Sequence, residues 1–422
     1  MRRNLLIALC TGLIAVFAAA CACGGGGEST DKGDKASTTD PKKDDKKDDK
    51  KDDKKDDAAP AAKKDKVGAI EISLKLDEEK TKAADELAKS VNKKGEFSWK
   101  DRGKPEKAQL YLHLAATNTD DNVRAAALQA MPGAFTSYEK DEKRTQVDDD
   151  YRKVIAALLD SPNDLVVARA LTASTPAINS KKPDPAIVKT MIELARKHPK
   201  DEGRMAALYS LRSMTDHQKD PNAVAAILEG MASDNPLLVA TAIDIIFQYG
   251  LDQPDKVEAE LEKHLGHKDD NVRGRAALKY AQLVARKNKK EATAAAVAKL
   301  EPMLKDKSAY VRSEVADAFV ALRHLPAVHD LVKMLEDEEK NSISTSYTDL
   351  SGNKRNFISD GSGWSRVDDA VLWAISNLSR NLKGKDKHFK LRKINYGKVD
   401  EDIKEARKEA LAWYEANKAE IK

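Results

Sequence analysis

Residues 269–278 read DDNVRGRAAL, and the same phrase returns along the chain. Residues 120–128 read DDNVRAAAL, and residues 308–316 read SAYVRSEVA. Each copy reads as the start of a helix. Asp270 and Asn271 stand where an N-cap belongs, with side-chain oxygens able to accept the free amide protons of a first turn. Val272, Ala276 and Ala277 fall at i, i+4 and i+5, an apolar stripe of helical period. The small alanines let a neighbouring helix come close. Arg273 lies just off the stripe, within reach of a carboxylate at the start of an adjacent unit.

Aligning the weaker copies on Arg124 gives register positions 124, 167, 204, 239, 273, 312 and 366, separated by 43, 37, 35, 34, 39 and 54 residues. Val167 and Val239 replace the arginine, Arg204 keeps it, and the last copy, SRVDDAVLWAI, carries Arg366. All separations but the last suit a pair of short helices with their turns. The expected pairs are 106–116 with a partner from 121, 148–160 with 164–174, 185–197 with 201–213, 221–232 with 236–249, 254–265 with 270–286, 291–304 with 308–322, and 326–337 with a helix restarting at Trp364. Pro185, Pro221, Pro236 and Pro254 fall at first turns, where the missing N–H costs nothing. That agreement supports the register independently of the motif.

The pattern resembles the HEAT repeat in its short bacterial form, over roughly residues 104–380. The likeness is carried most strongly by the units with Arg124, Arg273 and Arg312. It implies an all-α fold, an α-solenoid of about seven helical pairs. It also implies an internal Asp–Arg ladder, in which Asp121, Arg124, Arg204, Asp270, Arg273, Arg312 and Arg366 are structural rather than catalytic.

The N-terminus reads as a targeting segment. Arg2 and Arg3 precede an apolar run, residues 5–17, too short to span a bilayer comfortably. The run Ala18-Ala19-Ala20-Cys21 resembles a bacterial lipobox, although that motif usually has Leu three places before the Cys. The resemblance implies lipidation at Cys21, with residues 1–20 removed. A secretory signal cut without lipidation is the other reading, and Cys23 is a second candidate for the acylated residue. Two or more acyl chains would hold the chain on a membrane stably. Ala22, not Asp, follows Cys21, as in outer-membrane lipoproteins of Gram-negative envelopes. The three cysteines, 10, 21 and 23, all lie in or beside this signal, so the folded part has no thiol chemistry.

Residues 21–67 read as a disordered linker: a glycine run, then KKDD four times over residues 42–57. Nothing apolar is present to offset the cost of ordering, and a period of four places like charges at i, i+4. As a flexible coil of about 40 residues it would reach roughly 35 Å. Residues 68–103 form an N-terminal capping segment, with 69–76 a short strand or extended arm and 77–94 a helix. The repeat array covers 104–381. It is interrupted at 341–363 by a Ser-, Asn- and Gly-rich insertion that reads as a hairpin, 345–350 with 354–358 around Ser351-Gly352-Asn353. Insertions in such arrays map to loops, often on the binding face, and this one is the first place to look for function, a tolerated surface loop being the equal alternative. Residues 382–422 are a C-terminal cap. In it a basic stretch, 383–398, precedes a helix at 400–418 that carries Ala406, Ala410, Trp413 and Tyr414 on one side.

Compact chemistry is hard to find. His264 and His267 are i, i+3 beside Asp269 and Asp270, but no HExxH or cysteine pair accompanies them. His324 and His329 are separated by Pro326 and need not face one another. Residues 360–363, DGSG, lack the oxygen series of a calcium loop. There is no GxGxxG, GxxxxGK or GxSxG. The net charge of +4 falls to about +2 once Arg2 and Arg3 leave with the signal, so no nucleic-acid footprint is present. No catalytic residue, cofactor or metal is expected. The sequence points to a lipid-anchored envelope scaffold that binds a protein partner, with the membrane contacted through the N-terminal lipid. The runner-up is an enzyme or enzyme-associated subunit, since HEAT-like arrays also occur in bilin lyases, with a site on the concave face or in the 341–363 loop.

Overall fold

Prolines and acidic caps set the helix starts. In the computed structural model four helices begin at a proline: α6 (Pro185–Lys197), α8 (Pro221–Met231), α9 (Pro236–Tyr249) and α10 (Pro254–Lys263). Asp184 and Asp220 cap two of them by accepting the amide two residues on. Residues 66–136, 143–178, 184–212, 220–249, 253–360, 366–394 and 399–422 are described. The expected signal, Cys21 and the Lys/Asp run lie outside them.

The described residues are mostly helical, as an all-α chain requires. The other helices are α1 (Glu78–Lys89), α2 (Ala108–Thr117), α3 (Asp121–Thr136), α4 (Lys143–Leu158), α5 (Asp164–Ile178), α7 (Asp201–Leu211), α11 (Asp270–Lys287), α12 (Lys290–Leu300), α13 (Ala309–Leu322), α14 (Val328–Leu331), α15 (Val367–Ser379) and α16 (Val399–Asn417). Contacts between them follow a rule. Each even-numbered helix from α2 to α14 packs on the helix that follows it. The second members also pack on one another in chain order, α3 on α5, then α7, α9, α11, α13 and α15. Among the first members, α2, α4, α6 and α8 do the same. Every second helix therefore has neighbours on several sides, and its small residues are buried: Ala125, Ala126 and Ala127 on α3, Ala276 and Ala277 on α11.

Some elements differ from the sequence reading. α1 stops at Lys89, because the Ser90 amide turns back to the Leu87 carbonyl and Asn92 then organises a turn whose Gly95 has φ +67°. The arm at 69–76 is extended but joins no sheet. The Ile70 amide donates to the Ala116 carbonyl, and the amides of Ser73 and Leu74 donate to the Asp150 carboxylate. Residues 326–337 are not one helix: α14 is a single turn between two 3₁₀ turns. The cap of α11 is Asp269, whose side chain accepts from the Val272 amide, so Asp270 and Asn271 are its first helical residues. The end helix α16 buries Ile403, Ala406 and Ala410. Its Tyr414 hydroxyl lies 2.9 Å from His329 Nδ1, and Trp413 Nε1 donates to the Lys387 carbonyl.

Candidate functional site

The register position is the fourth residue of its helix in α3, α5, α7, α9, α11 and α13. Arg366 departs from this. It is the residue just before α15, whose fourth residue is the buried Ala370. The insertion shifted the phase, and a lone arginine could not reveal it. The arginines also do unequal work. Arg273 donates to both oxygens of Asp306 (2.9 and 2.8 Å), to Asp270 (2.7 Å) and to the carbonyls of His267 and Lys268. Arg312 repeats this with Asp337, Glu339 and the Asp306 carbonyl. Burial opposes charge on Asp306, yet these bonds hold its carboxyl below the usual range. Arg204 has weaker bonds, to the Ala195 carbonyl (3.2 Å) and Asp201 (3.4 Å). Arg124 turns the other way and donates to the Val67 and Gly68 carbonyls of the arm. Between the starts of α3, α5, α7 and α9 the link passes instead through other residues: Asn163 donates to Asp121 (3.1 Å), Lys200 pairs with Asp164, and Asn235 donates to Asp201 (3.0 Å). Arg366 pairs with Asp368, Glu338 and Asp400, binding the cap to the last helix.

The insertion forms a hairpin, β1 (Ser342–Thr348) against β2 (Lys354–Asp360), paired antiparallel from Ser342–Asp360 to Thr348–Lys354. A bridge between Lys340 and Arg366 closes its base, and Asn341, fully buried, donates to Ser313 of α13. The turn is tied by Asp349, which accepts from the amides of Ser351 and Asn353 and from Arg355, while Gly352 takes φ +80°. β1 alternates: Ser342, Ser344, Ser346 and Thr348 are exposed, whereas Ile343, Thr345 and Tyr347 are half-buried. Leu350 at the tip is 7% exposed.

That tip meets the body far from its root. A cleft of about 400 Å³ separates the turn from Asp164 and Leu165 of α5 and from Lys200 and Glu202 at the start of α7. Arg169 of α5 lies between Glu96, at 3.5 Å, and the field of Asp349. Tyr347 lies within electrostatic reach of Tyr209 of α7. Four helix steps separate α13 from α5, about 36 Å in a straight row at 9 Å each. A seven-residue strand spans only about 24 Å. With Asn341 and the turn residues added, the hairpin reaches from α13 to the starts of α5 and α7.

Beneath its root is a polar cluster. Glu314 and Asp317 of α13 are buried, and Tyr310 is 2% exposed. Arg275 of α11 pairs with Asp244 of α9, and its Nε donates to Asn271. Burial, helped by neighbouring Asp317 and opposed by Arg275, pushes the Glu314 carboxyl up to about 8. Gly274 makes the approach possible. A Cβ there would lie 2.5 Å from Tyr310 Cε1 and 3.2 Å from Glu314 Cγ. Sequence reasoning missed this cluster. Its signal was present, since Arg169, Thr241, Arg275 and Glu314 all stand two places after a register position and Tyr209, Asp244 and Asp317 five places after one.

Among the described residues no group of three His, Cys, Asp or Glu could hold a metal ion. His264 Nε2 is 3.8 Å from Glu260, and His267 Nδ1 accepts the Asp269 amide, so the two rings serve their own turn. No described helix is long and apolar enough to cross a membrane. Compared with known proteins, the chain matches no protein-family model and no curated protein.

Proposed function

We propose that the chain is an exported, lipid-anchored α-solenoid of the HEAT-like type, about seven helical pairs long, that serves as a protein-binding scaffold in the cell envelope. The observation that carries this reading is the run of second helices packed in chain order with a hairpin laid along it. Such a surface spreads recognition over many side chains, consistent with a sequence that holds no compact motif. The hairpin supports the same face as the binding face, because it offers a row of exposed hydroxyls, Ser342, Ser344, Ser346 and Thr348, beside the row's polar track. The anchor rests on Cys21 and the lipobox-like run before it.

The enzyme reading has one feature in its favour, the perturbed Glu314. Against it, Glu314 is 4% exposed, is packed under Tyr310 and lines none of the clefts described, so a substrate has no route to it. Crosslinking in intact cells followed by pull-down tests the scaffold. A reproducible protein partner lost when residues 342–360 are replaced by a short Gly-Ser loop is the expected result. Absence of any crosslinked partner would overturn it. Cys21→Ala should move the chain from the membrane to the soluble fraction, and unchanged membrane association would refute the anchor.

A further inference from the structure

At the C-terminal end, the basic stretch that follows α15 builds one wall of a cleft. Trp373, Asn377 and Arg380 stand at i, i+4 and i+7, one face of α15 and its cap residue. Opposite them, residues 388–391 run as a strap. The strap is fixed at Phe389, whose carbonyl accepts from Ser376 Oγ (3.1 Å) and whose amide donates to Ser379 Oγ (2.9 Å). Its ring is 6% exposed and packs 5.9 Å from that of Trp413. This anchoring sets His388 and Lys390 across from Arg380, around a space of about 590 Å³.

The charges facing this space are unbalanced. Arg380 and Lys390 are exposed, and no carboxylate among the described residues pairs with either. No carboxylate lines the cleft. Three other clefts differ. The one between α4 and α6 has Asp160 and Glu193, the one beside α13 has Glu301 and Asp330, and the one under the hairpin tip has Asp164, Glu202 and Asp349. In a chain with 74 basic and 70 acidic residues, a cleft that gathers cations and no carboxylate beside a held strap departs from the other three.

We infer that this cleft binds a phosphoryl group, with Arg380 and Lys390 as its cationic contacts and the half-buried Trp373 as a floor for whatever carries the phosphate, while His388 is held in the wall by the Leu382 carbonyl (3.3 Å). An arginine fork matches a tetrahedral oxyanion in bidentate fashion, and lysine adds a point charge. The volume suits a small ligand. The negative end of the α15 dipole opposes an anion here, so binding is modest and salt-sensitive. The inference is independent of the scaffold reading.

The group could belong to a soluble phosphoester or to a lipid head, and the test separates them. Titrate the full folded chain with inorganic pyrophosphate at low salt by calorimetry and tryptophan fluorescence. In parallel, measure co-sedimentation of a Cys21→Ala chain with phosphatidylcholine vesicles with and without phosphatidic acid. Saturable binding in at least one arm is expected. It should weaken about tenfold in Arg380→Ala/Lys390→Ala, as loss of charge-assisted bonds worth about 1.4 kcal/mol would give. Both side chains are exposed, so melting should not change. Lys82→Ala/Lys197→Ala, remote and exposed, should bind as the parent does. Pyrophosphate binding alone assigns a soluble ligand. Binding to phosphatidic acid vesicles, competed by pyrophosphate, assigns a lipid head. No saturable binding in either arm, or equal binding by the double variant, overturns the inference.

Discussion

Gly274→Ala sets two opposed effects against each other in the second turn of α11. An interior helical glycine replaced by alanine gains about 1 kcal/mol from propensity alone. Here the new methyl would lie 2.5 and 2.8 Å from two carbons of the Tyr310 ring and 3.2 Å from Glu314 Cγ. Carbon atoms rest at about 3.5–4.0 Å, so the ring must retreat by roughly 1 Å. It has nowhere to go, being 2% exposed on a helix wedged between α11 and α15. Either the ring leaves its rotamer or the two helices separate, and overpacking of this kind costs about 1–3 kcal/mol, occasionally more. Because the shift also disturbs the buried Glu314, the upper part of that range applies. The net expectation is a loss of about 1–2 kcal/mol, opposite in sign to propensity. Urea unfolding followed by circular dichroism measures it, and hydrogen exchange should place the loosening in α11 and α13. Gly266→Ala, where nothing lies within 4 Å, serves as the control and should change little. A Gly274→Ala chain as stable as its parent would refute the close-packing argument.

Other perturbations test the ladder, the buried acid and the hairpin. Arg273→Ala should cost about 2–3 kcal/mol, below the full penalty for breaking a buried pair because Asp306 keeps its bond from the Ser308 amide and some solvent. Arg204→Ala, with its longer bonds, should cost under about 1 kcal/mol; equal losses in denaturant titrations would sink the ranking. Glu314 is held neutral in the fold, whereas it ionises near pH 4.5 when unfolded, so its stabilising effect is complete below that pH and fades as pH rises towards 8. Glu314→Gln should therefore melt like its parent at pH 5 and above it at pH 8.5, and parallel melting curves at the two pH values would contradict this. Replacing residues 342–360 by a short Gly-Ser loop removes the contacts of Leu350 and Tyr347 with the body, so hydrogen exchange should rise at the starts of α5 and α7 and stay unchanged in α2 and α3. No change near Asp164 and Lys200 would mean the tip does not dock there.

Periodicity placed most of the helices, although 326–337 is a single α-turn between 3₁₀ turns and the first helix stops early, at Lys89. Apolar residues at helical spacing, prolines at first turns and aspartates before them are local signals, and each acts through backbone geometry within a few residues. The hairpin was legible for the same reason, although its strands run longer than the turn chemistry alone suggested. The caps were off by a residue where two aspartates compete, as at Asp269 and Asp270. The seventh register position was misplaced because the insertion left only one arginine to align on.

What the chain's order determined by itself was therefore which segments coil, where they stop and which faces are greasy. Tertiary structure decided who partners whom. Arg124 and Arg273 occupy the same helical position, yet one grips the arm and the other the next unit, because only packing sets which carbonyls and carboxylates lie within 3 Å. It also decided that Asp349 meets the field of Arg169 across 180 residues, and that Glu314 is sealed from water. Sequence spacing carries no term for the order in which helices pack side by side, and that packing sets which helix starts the hairpin tip meets.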